Sequence, residues 1–216
     1  MMRAFIPAPW RTIVPLLVSG ALIVAVVGGF SFGLPGRQGE VYFSFAEWWM
    51  YAATIAAVGA CVPRVRSVDL GCRRARLATT MQGLVTAVLA LGCATVGALV
   101  INARRAARAA SYIDSVIPPG SEYIIVGTLT AAGLAFLLVS MWGAGLGSVL
   151  SVLALAALAV AHLVVPEDFP LPLPSQPYQG VWWQPGSLIA SLVIFFVGFA
   201  VWAKLGGARL MRHAES

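Results

Sequence analysis

Long apolar stretches separated by short polar segments dominate the chain from end to end. A transmembrane helix needs about 20 apolar residues, because each residue adds ~1.5 Å and the hydrocarbon core is ~30 Å thick. Stretches of about this length lie near residues 13–34, 45–62, 77–101, 123–142, 146–165 and 187–205. The pattern predicts an all-α, polytopic integral membrane protein with about six transmembrane helices in a single domain, residues 1–216.

One apolar stretch is too long for a single crossing. Residues 123–165 contain no Asp, Glu, Lys or Arg, and a stretch of that length suits two helices. Three glycines alternate within WGAGLGS, residues 142–148, and glycine is a poor helix former. We therefore expect a tight turn between two antiparallel helices there. These glycines do not form a phosphate-binding loop, because the lysine of that motif is missing.

The composition agrees with a membrane protein. Hydrophobic residues make up 60% of the 216 residues and charged residues only 10%, whereas about a quarter of a soluble domain is charged. The formal net charge is +6, but the basic residues lie between apolar stretches, so they indicate topology rather than nucleic-acid binding. The first stretch is long for a signal peptide and no small-residue cleavage site follows it, so we expect it to be retained.

The basic residues also predict an orientation. If the N-terminus is inside, ten of them lie on the inner side: Arg3, Arg11, Arg64, Arg66, Arg73, Arg74, Arg76, Lys204, Arg209 and Arg212. Four lie on the outer side: Arg37, Arg104, Arg105 and Arg108. Because cytoplasmic loops carry the excess of Lys and Arg, we expect both termini in the cytoplasm and the chain in the cell membrane. The cluster around Arg104 fits this orientation least well.

Few residues near the apolar stretches have catalytic chemistry. Glu47 is the only carboxylate within one of these stretches. A membrane-embedded acid can bind a proton or a cation, but Glu47 stands at the start of its stretch beside Trp48 and Trp49, which favours an interfacial carboxylate. Ser148 and His162 are about 20 Å apart along one helix, too far for a nucleophile and its base. We predict no catalytic residue.

Histidine and cysteine do not indicate a cofactor. A single intramembrane histidine cannot supply the paired axial ligands of a haem-binding bundle. The three cysteines, Cys61, Cys72 and Cys93, have no CxxC spacing and suit small hydrophobic side chains. We therefore expect no disulfide, no metal site and no cofactor in this chain.

Two polar segments are candidates for contact with other molecules. The basic segment 63–76 contains Leu70, Arg73, Arg74 and Arg76, which suit a short amphipathic helix that docks on a partner; a positive-inside signal is the alternative. The segment 166–186 is rich in proline and ends with Trp182 and Trp183. It either caps a lateral opening for an apolar substrate or connects two helices along the headgroups.

The layout resembles the small permease subunits of type-2 ABC exporters. These have six helices with both ends inside, and an amphipathic stretch precedes the first helix, as FIPAPWRTI does here. A basic coupling segment follows the second helix, as PRVRSVDLGCRRARLATT does, and an interfacial or re-entrant segment joins the last two, as PEDFPLPLPSQPYQGVWWQPG does. Several such subunits end in a glycine- and arginine-rich tail, like GGARLMR here.

The resemblance implies partners and a mechanism. It implies a dimer of permeases, identical or different, that works with two cytoplasmic ATPases, so that ATP binds to a separate subunit. The segment from Leu70 to Arg76 would carry the closure of the ATPases to the helices. The substrate would be amphipathic or hydrophobic.

Two other functions stay open. One is a non-catalytic accessory subunit of a larger membrane complex, favoured because the apolar stretches hold few polar groups beyond Ser and Thr. The other is the substrate-capture subunit of a vitamin importer, which also has six helices and needs an ATPase. An accessory subunit co-purifies with a larger complex that lacks an ABC ATPase, whereas a capture subunit binds a small ligand when it is alone.

Overall fold

A computed structural model gives the fold as six helices and a small sheet. The helices are α1 (Trp10–Val27), α2 (Phe45–Ala60), α3 (Arg73–Ala109), α4 (Tyr123–Trp142), α5 (Ala144–Val164) and α6 (Pro185–Leu205). The strands are β1 (Ser31–Gly36), β2 (Gly39–Ser44) and β3 (Gln176–Pro177). The structure describes residues 10–27, 31–36, 39–62, 73–109, 123–165, 169, 171–172, 176–177 and 185–207.

Five of the helices are long and apolar enough to cross a membrane: α1, α3, α4, α5 and α6. The prediction of a helical protein is confirmed, and these five apolar helices are consistent with a membrane protein. The helix α2 has 16 residues and is therefore about 24 Å long, which is short of the ~30 Å hydrocarbon core. It ends at Ala60, two residues before the predicted end of this stretch, and Cys61 and Val62 form a turn just before Pro63.

The chain between α1 and α2 differs from the predicted continuous helix and loop. The predicted first stretch, 13–34, is helical only to Val27, and residues 31–36 form β1. The strand β1 pairs antiparallel with β2 from Ser31↔Ser44 to Gly36↔Gly39, and β2 pairs with β3 at Val41↔Pro177. The poor helix formers Gly28 and Gly29 follow α1, and the sequence VYF in β2 favours a strand. A small three-stranded sheet therefore accompanies the helices.

The helix α3 is longer than its apolar part. It has 37 residues and a length of about 55 Å, well beyond the hydrocarbon core. Residues 73–76, predicted as part of a separate short helix in the basic segment, form its first turn, and Arg104 to Arg108 continue it beyond the predicted stretch 77–101. Arg and Ala are strong helix formers, so nothing in these flanks stops the helix where its apolar part ends.

The helix α4 lies at the centre of the bundle. It contacts α2, α3, α5 and α6, whereas α1 packs on α2 and α3. In its most apolar 18-residue stretch, 72% of the residues are buried, against 17–39% in the corresponding stretches of the other four candidate spans. Glycines and alanines along it let its neighbours come close, as small residues do between helices in lipid. The other four candidate spans expose apolar side chains that suit contact with lipid.

The turn between α4 and α5 is a single residue, Gly143, with φ of 82°. It lies within the predicted turn 142–148, although α5 begins at Ala144 rather than near residue 146. A side chain at Gly147 would lie 2.5 Å from the Cα of Val139, so this glycine is needed for the close approach of α5 to α4. The two helices therefore form a tight hairpin.

Successive helix ends alternate between the two ends of the bundle. At the sheet end, defined by β1, β2 and β3, the Arg104 guanidinium near the end of α3 donates a hydrogen bond to the carbonyl of Ala25 near the end of α1. At the opposite end, Arg76 at the start of α3 packs against Gly206, just after α6. Because β3 belongs to the α5–α6 connection, that connection and the α1–α2 connection share the sheet end.

Candidate functional site

The basic segment that we predicted as a coupling element lies partly within α3. Leu70 is outside the described residues, and Arg73 and Arg74 are in the first turn of α3, where the structure defines their backbone. Arg76 is half-buried, and a Cβ placed on Gly206 would lie 3.2 Å from its Cγ. The start of α3 and the end of α6 are therefore packed together at the opposite end of the bundle.

The α5–α6 connection returns into the bundle. Trp182 and Trp183 lie outside the described residues, so their predicted contact with an interface is still a prediction. Within the described part, Phe169 is 58% exposed, whereas Leu171 is only 7% exposed. The chain thus turns inward between these two residues.

Two hydroxyl groups hold the inward-turning segment. The Oγ atoms of Thr130 on α4 and Ser191 on α6 lie 2.8 Å apart. Both are within hydrogen-bonding distance of the carbonyl oxygen of Pro172, at 2.8 Å for Ser191. Each hydroxyl has one proton, so when one donates to the carbonyl, the other can donate to its neighbour. We call Pro172, Thr130 and Ser191 the Pro172 contact.

The Pro172 contact lies well inside the helix ends. Thr130 is seven residues after Tyr123, the first residue of α4, so the carbonyl of Pro172 reaches about 10 Å along α4 from its sheet end. Irregular backbone is tolerated at membrane depth only where protein or a cavity satisfies its polar groups. The hydroxyls of Thr130 and Ser191 satisfy the Pro172 carbonyl in this way. The segment therefore re-enters the helix bundle between α4 and α6, and we call it the re-entrant segment in this sense.

The sequence alone does not reveal which hydroxyl groups act between helices. Thr54, Thr128, Ser140 and Ser151 each donate to the carbonyl four residues earlier in their own helix. Ser191 also reaches the carbonyl of Ser187 at 2.8 Å, so it has the same local alternative. Only the packing of α4 against α6 brings Thr130 and Ser191 together.

Further along the two helices from the Pro172 contact, α4 and α6 are in close contact. A Cβ on Gly198 would lie 2.1 Å from the carbonyl oxygen of Gly133, and a Cβ on Gly133 would lie 2.7 Å from the backbone of Phe195. Below this crossing, Phe136 packs edge-on against Phe199 at a centroid distance of 5.5 Å, and its ring is tilted against that of Trp202 at 5.4 Å. The Nε1 of Trp202 donates to the carbonyl of Thr79 on α3 at 3.3 Å.

Glu47 is buried inside the protein, with only 3% of its surface exposed. The sequence favours an interfacial carboxylate, and the structure shows this side chain turned into the bundle near the sheet end of α2. Although Glu47 lies in the first turn of α2, that turn packs inside the bundle, where Tyr51 and Tyr123 are each 1% exposed. The sequence places Glu47 at the start of an apolar stretch, near the membrane surface. The direction of its side chain, however, depends on how α2 packs against its neighbours.

Other polar groups do not gather into a reactive set. Ser148 packs against Gly59 at the opposite end of the bundle, whereas His162 is near the sheet end of α5, about 20 Å along the helix. Cys61 and Cys93 are free thiols, and the Sγ of Cys61 lies 3.1 Å from the Oγ1 of Thr86. Within the described part of the chain, no three His, Cys, Asp or Glu residues are grouped to hold a metal ion.

The chain has no detectable similarity that would identify it. No protein-family model matches it, and no curated protein or solved structure matches it either.

Proposed function

We propose that the chain is the membrane-embedded permease subunit of an ATP-driven exporter, with an amphipathic or hydrophobic substrate. The observation that carries this proposal is the re-entrant segment between the last two helices, with the carbonyl of Pro172 between Thr130 on α4 and Ser191 on α6. A re-entrant or interfacial segment at this place is part of the layout that the sequence shares with type-2 ABC exporters.

The re-entrant segment offers both kinds of surface that an amphipathic substrate needs. The Pro172 contact supplies hydroxyl and carbonyl groups, and the adjoining α4–α6 crossing supplies the apolar Phe195, which packs edge-on against Phe136 at 6.0 Å. Among the described residues, the hydroxyls of Thr130 and Ser191 hold Pro172 by hydrogen bonds worth about 1 kcal/mol each, so a modest input of free energy can displace it. Displacement would open the bundle laterally between α4 and α6 at the sheet end.

Coupling to an ATPase would act on α3. Its first turn carries Arg73, Arg74 and Arg76, and the helix continues for 37 residues to the sheet end. A force that a docked ATPase applies to this turn would move α3 as a rigid body. It would also move α6, because Arg76 packs against Gly206. Leu70 and the three arginines are the proposed docking residues. ATP would bind to the separate ATPase subunit.

The proposed orientation puts the sheet end outside and both termini in the cytoplasm. Arg11, Arg76 and Lys204 lie at the opposite end, which agrees with the excess of basic residues expected on the cytoplasmic side. Here α2 is the sixth crossing, and local thinning of the bilayer or the cover of its neighbours compensates for its short length. The protein would reside in the cell membrane as a homo- or hetero-oligomer.

Affinity purification of the tagged protein in a gentle detergent tests this function. We expect a soluble P-loop ATPase to co-purify in about a one-to-one ratio, as two permeases with two ATPases require. The variant with Arg73→Glu and Arg74→Glu should still insert into the membrane but lose the ATPase. A matched variant with Arg104→Glu at the sheet end should retain it. Purification without any ATPase would contradict the proposal.

One observation favours a second function, that of an accessory subunit in a larger membrane complex. The buried hydroxyls of Thr54, Thr128, Ser140 and Ser151 each donate to a carbonyl of their own helix, so these hydrogen bonds are used within the helices. A chain of this kind would stabilise a partner instead of conducting a substrate. In the same purification, such an accessory subunit would co-purify with a large membrane complex that contains no ABC ATPase.

A further inference from the structure

The re-entrant segment is held by its main chain at two places. The carbonyl oxygen of Pro172 lies between the hydroxyls of Thr130 on α4 and Ser191 on α6. Further along the same connection, β3 (Gln176–Pro177) pairs antiparallel with β2. Every peptide has carbonyl groups and can add a strand to the edge of a sheet, so these two places can accept another peptide instead of this segment.

One side chain of the segment is enclosed by the bundle. Leu171, next to Pro172, is only 7% exposed, whereas Phe169 is 58% exposed. Removal of apolar surface from water is a main source of binding free energy, so the position that Leu171 occupies should select an apolar side chain. The main-chain contacts thus indicate a peptide, and the buried side chain indicates its character.

The backbone of the segment brings few hydrogen-bond donors into the bundle. Pro170 and Pro172 have no N–H group, and the N–H of Leu171 donates to the carbonyl of Phe169 at 2.8 Å. An N–H group without a partner is costly at membrane depth. Proline on both sides of the leucine therefore suits a peptide that enters the bundle here.

The groups of the Pro172 contact are uncharged. Two neutral hydroxyls offer their protons to a carbonyl, so an incoming ligand must supply an acceptor. A phosphate or carboxylate would lose its water there without meeting an opposite charge among these groups, which is costly. An amide carbonyl avoids this cost. The contact therefore favours a peptide over a lipid with a charged headgroup.

We propose that the substrate of this site is an apolar, proline-containing peptide that takes the place of the re-entrant segment. One carbonyl of the peptide binds Thr130 and Ser191, an apolar side chain takes the place of Leu171, and the following residues pair with β2. The segment acts as an internal competitor that leaves when the substrate binds. This inference rests on the proposed function, because it names the substrate class of the same site.

Binding of a synthetic peptide to the full chain in lipid nanodiscs tests the proposal. The probe is FPLPLPSQP, the sequence of residues 169–177, with a fluorophore at its N-terminus and an amidated C-terminus. In Leu171→Ser the segment loses its buried apolar side chain and competes less, so the peptide should bind at least about tenfold more tightly than to the wild type. Phe169→Ser is the matched control; it changes an exposed side chain and should alter the affinity by less than about twofold.

Cross-linking to the wild-type chain locates the bound peptide without any variant. A photoreactive leucine at the position of Leu171 in the peptide should cross-link to α4 or α6, and excess unlabelled peptide should prevent this. Equal affinities of Leu171→Ser and Phe169→Ser for the peptide would overturn the proposal. So would displacement of the probe by a scrambled peptide of the same composition, or by a lysophospholipid, as readily as by the unlabelled peptide.

The peptide is bound by the chain alone, so the outcome is distinct from that of the ATPase purification. Specific peptide binding without a co-purifying ATPase would contradict the export function and support the peptide site. A co-purifying ATPase without specific peptide binding would support the permease and overturn the peptide site.

Discussion

At the scale of single residues, glycines determine how closely the helices approach. Gly133 and Gly198 face each other where α4 crosses α6, and the atoms that they meet belong to backbone. A side chain can rotate away from an added methyl group, but backbone in a packed helix cannot. Gly92, in contrast, lies on a part of α3 where an added Cβ would meet nothing within 4 Å.

The first prediction follows from this difference. Gly198→Ala should lower the free energy of unfolding by about 2 kcal/mol or more, because its Cβ would lie 2.1 Å from the Gly133 carbonyl oxygen and the helices would have to separate. Unfolding in mixed detergent micelles, followed by circular dichroism, measures the effect. Gly92→Ala is the matched control and should be at least as stable as the wild type. Equal stability of the two variants would show that the crossing is looser than described.

At the scale of elements, the α5–α6 connection is held by partners on both helices of the α4–α6 pair. Thr130 contributes from α4 and Ser191 from α6, so the position of Pro172 depends on the two helices being in register. Leu171, next to Pro172, is buried as a consequence. Its accessibility to solvent therefore reports on the state of the whole re-entrant segment.

The second prediction uses that accessibility. In a Leu171→Cys variant, a water-soluble maleimide should label the introduced thiol slowly, and Thr130→Val should make labelling about fivefold faster, because one hydrogen bond contributes about 1 kcal/mol. The labelled peptide is quantified by mass spectrometry, which separates it from the peptides of the native cysteines. Thr128→Val is the control, since the Thr128 hydroxyl donates to the carbonyl of Ile124 in its own helix. Equal labelling rates for both valine variants would contradict the role of Thr130.

At the scale of the whole molecule, the alternation of helix ends defines two faces. The sheet joins the α1–α2 and α5–α6 connections at one face, and Arg76 against Gly206 joins α3 and α6 at the other. The short α2 is enclosed by α1, α3, α4 and α5. If α2 crosses the membrane, the chain on either side of it lies on opposite sides of the bilayer.

The third prediction concerns this topology. Alkaline phosphatase fused after Gln38 should be active outside the cell membrane, whereas a fusion after Arg66 should be inactive, because α2 carries the chain back to the cytoplasm. A green fluorescent protein fused at the C-terminus should fluoresce, because the proposed topology puts the C-terminus in the cytoplasm. Similar phosphatase activity after Gln38 and Arg66 would mean that α2 does not cross.

The sequence predicted the elements better than their contacts. Apolar length alone indicated helices in all six regions, and the glycines of residues 142–148 indicated the turn at Gly143. It did not indicate the sheet, because β1 and β2 are short and β3 is far away along the chain. Nor did it give the ends of α3, since arginine and alanine continue a helix beyond the apolar core.

What the sequence by itself determined is that this chain is helical and suited to a membrane, because the length and hydrophobicity of each stretch are local properties that lipid selects directly. Only the tertiary structure decided which polar groups are candidates for function. Glu47 is buried and Thr130 meets Ser191 because α4 stands at the centre of the bundle, and the close approach of its neighbours comes from pairs of residues far apart in the chain. Residue type cannot reveal such pairs; the packing of whole helices decides them.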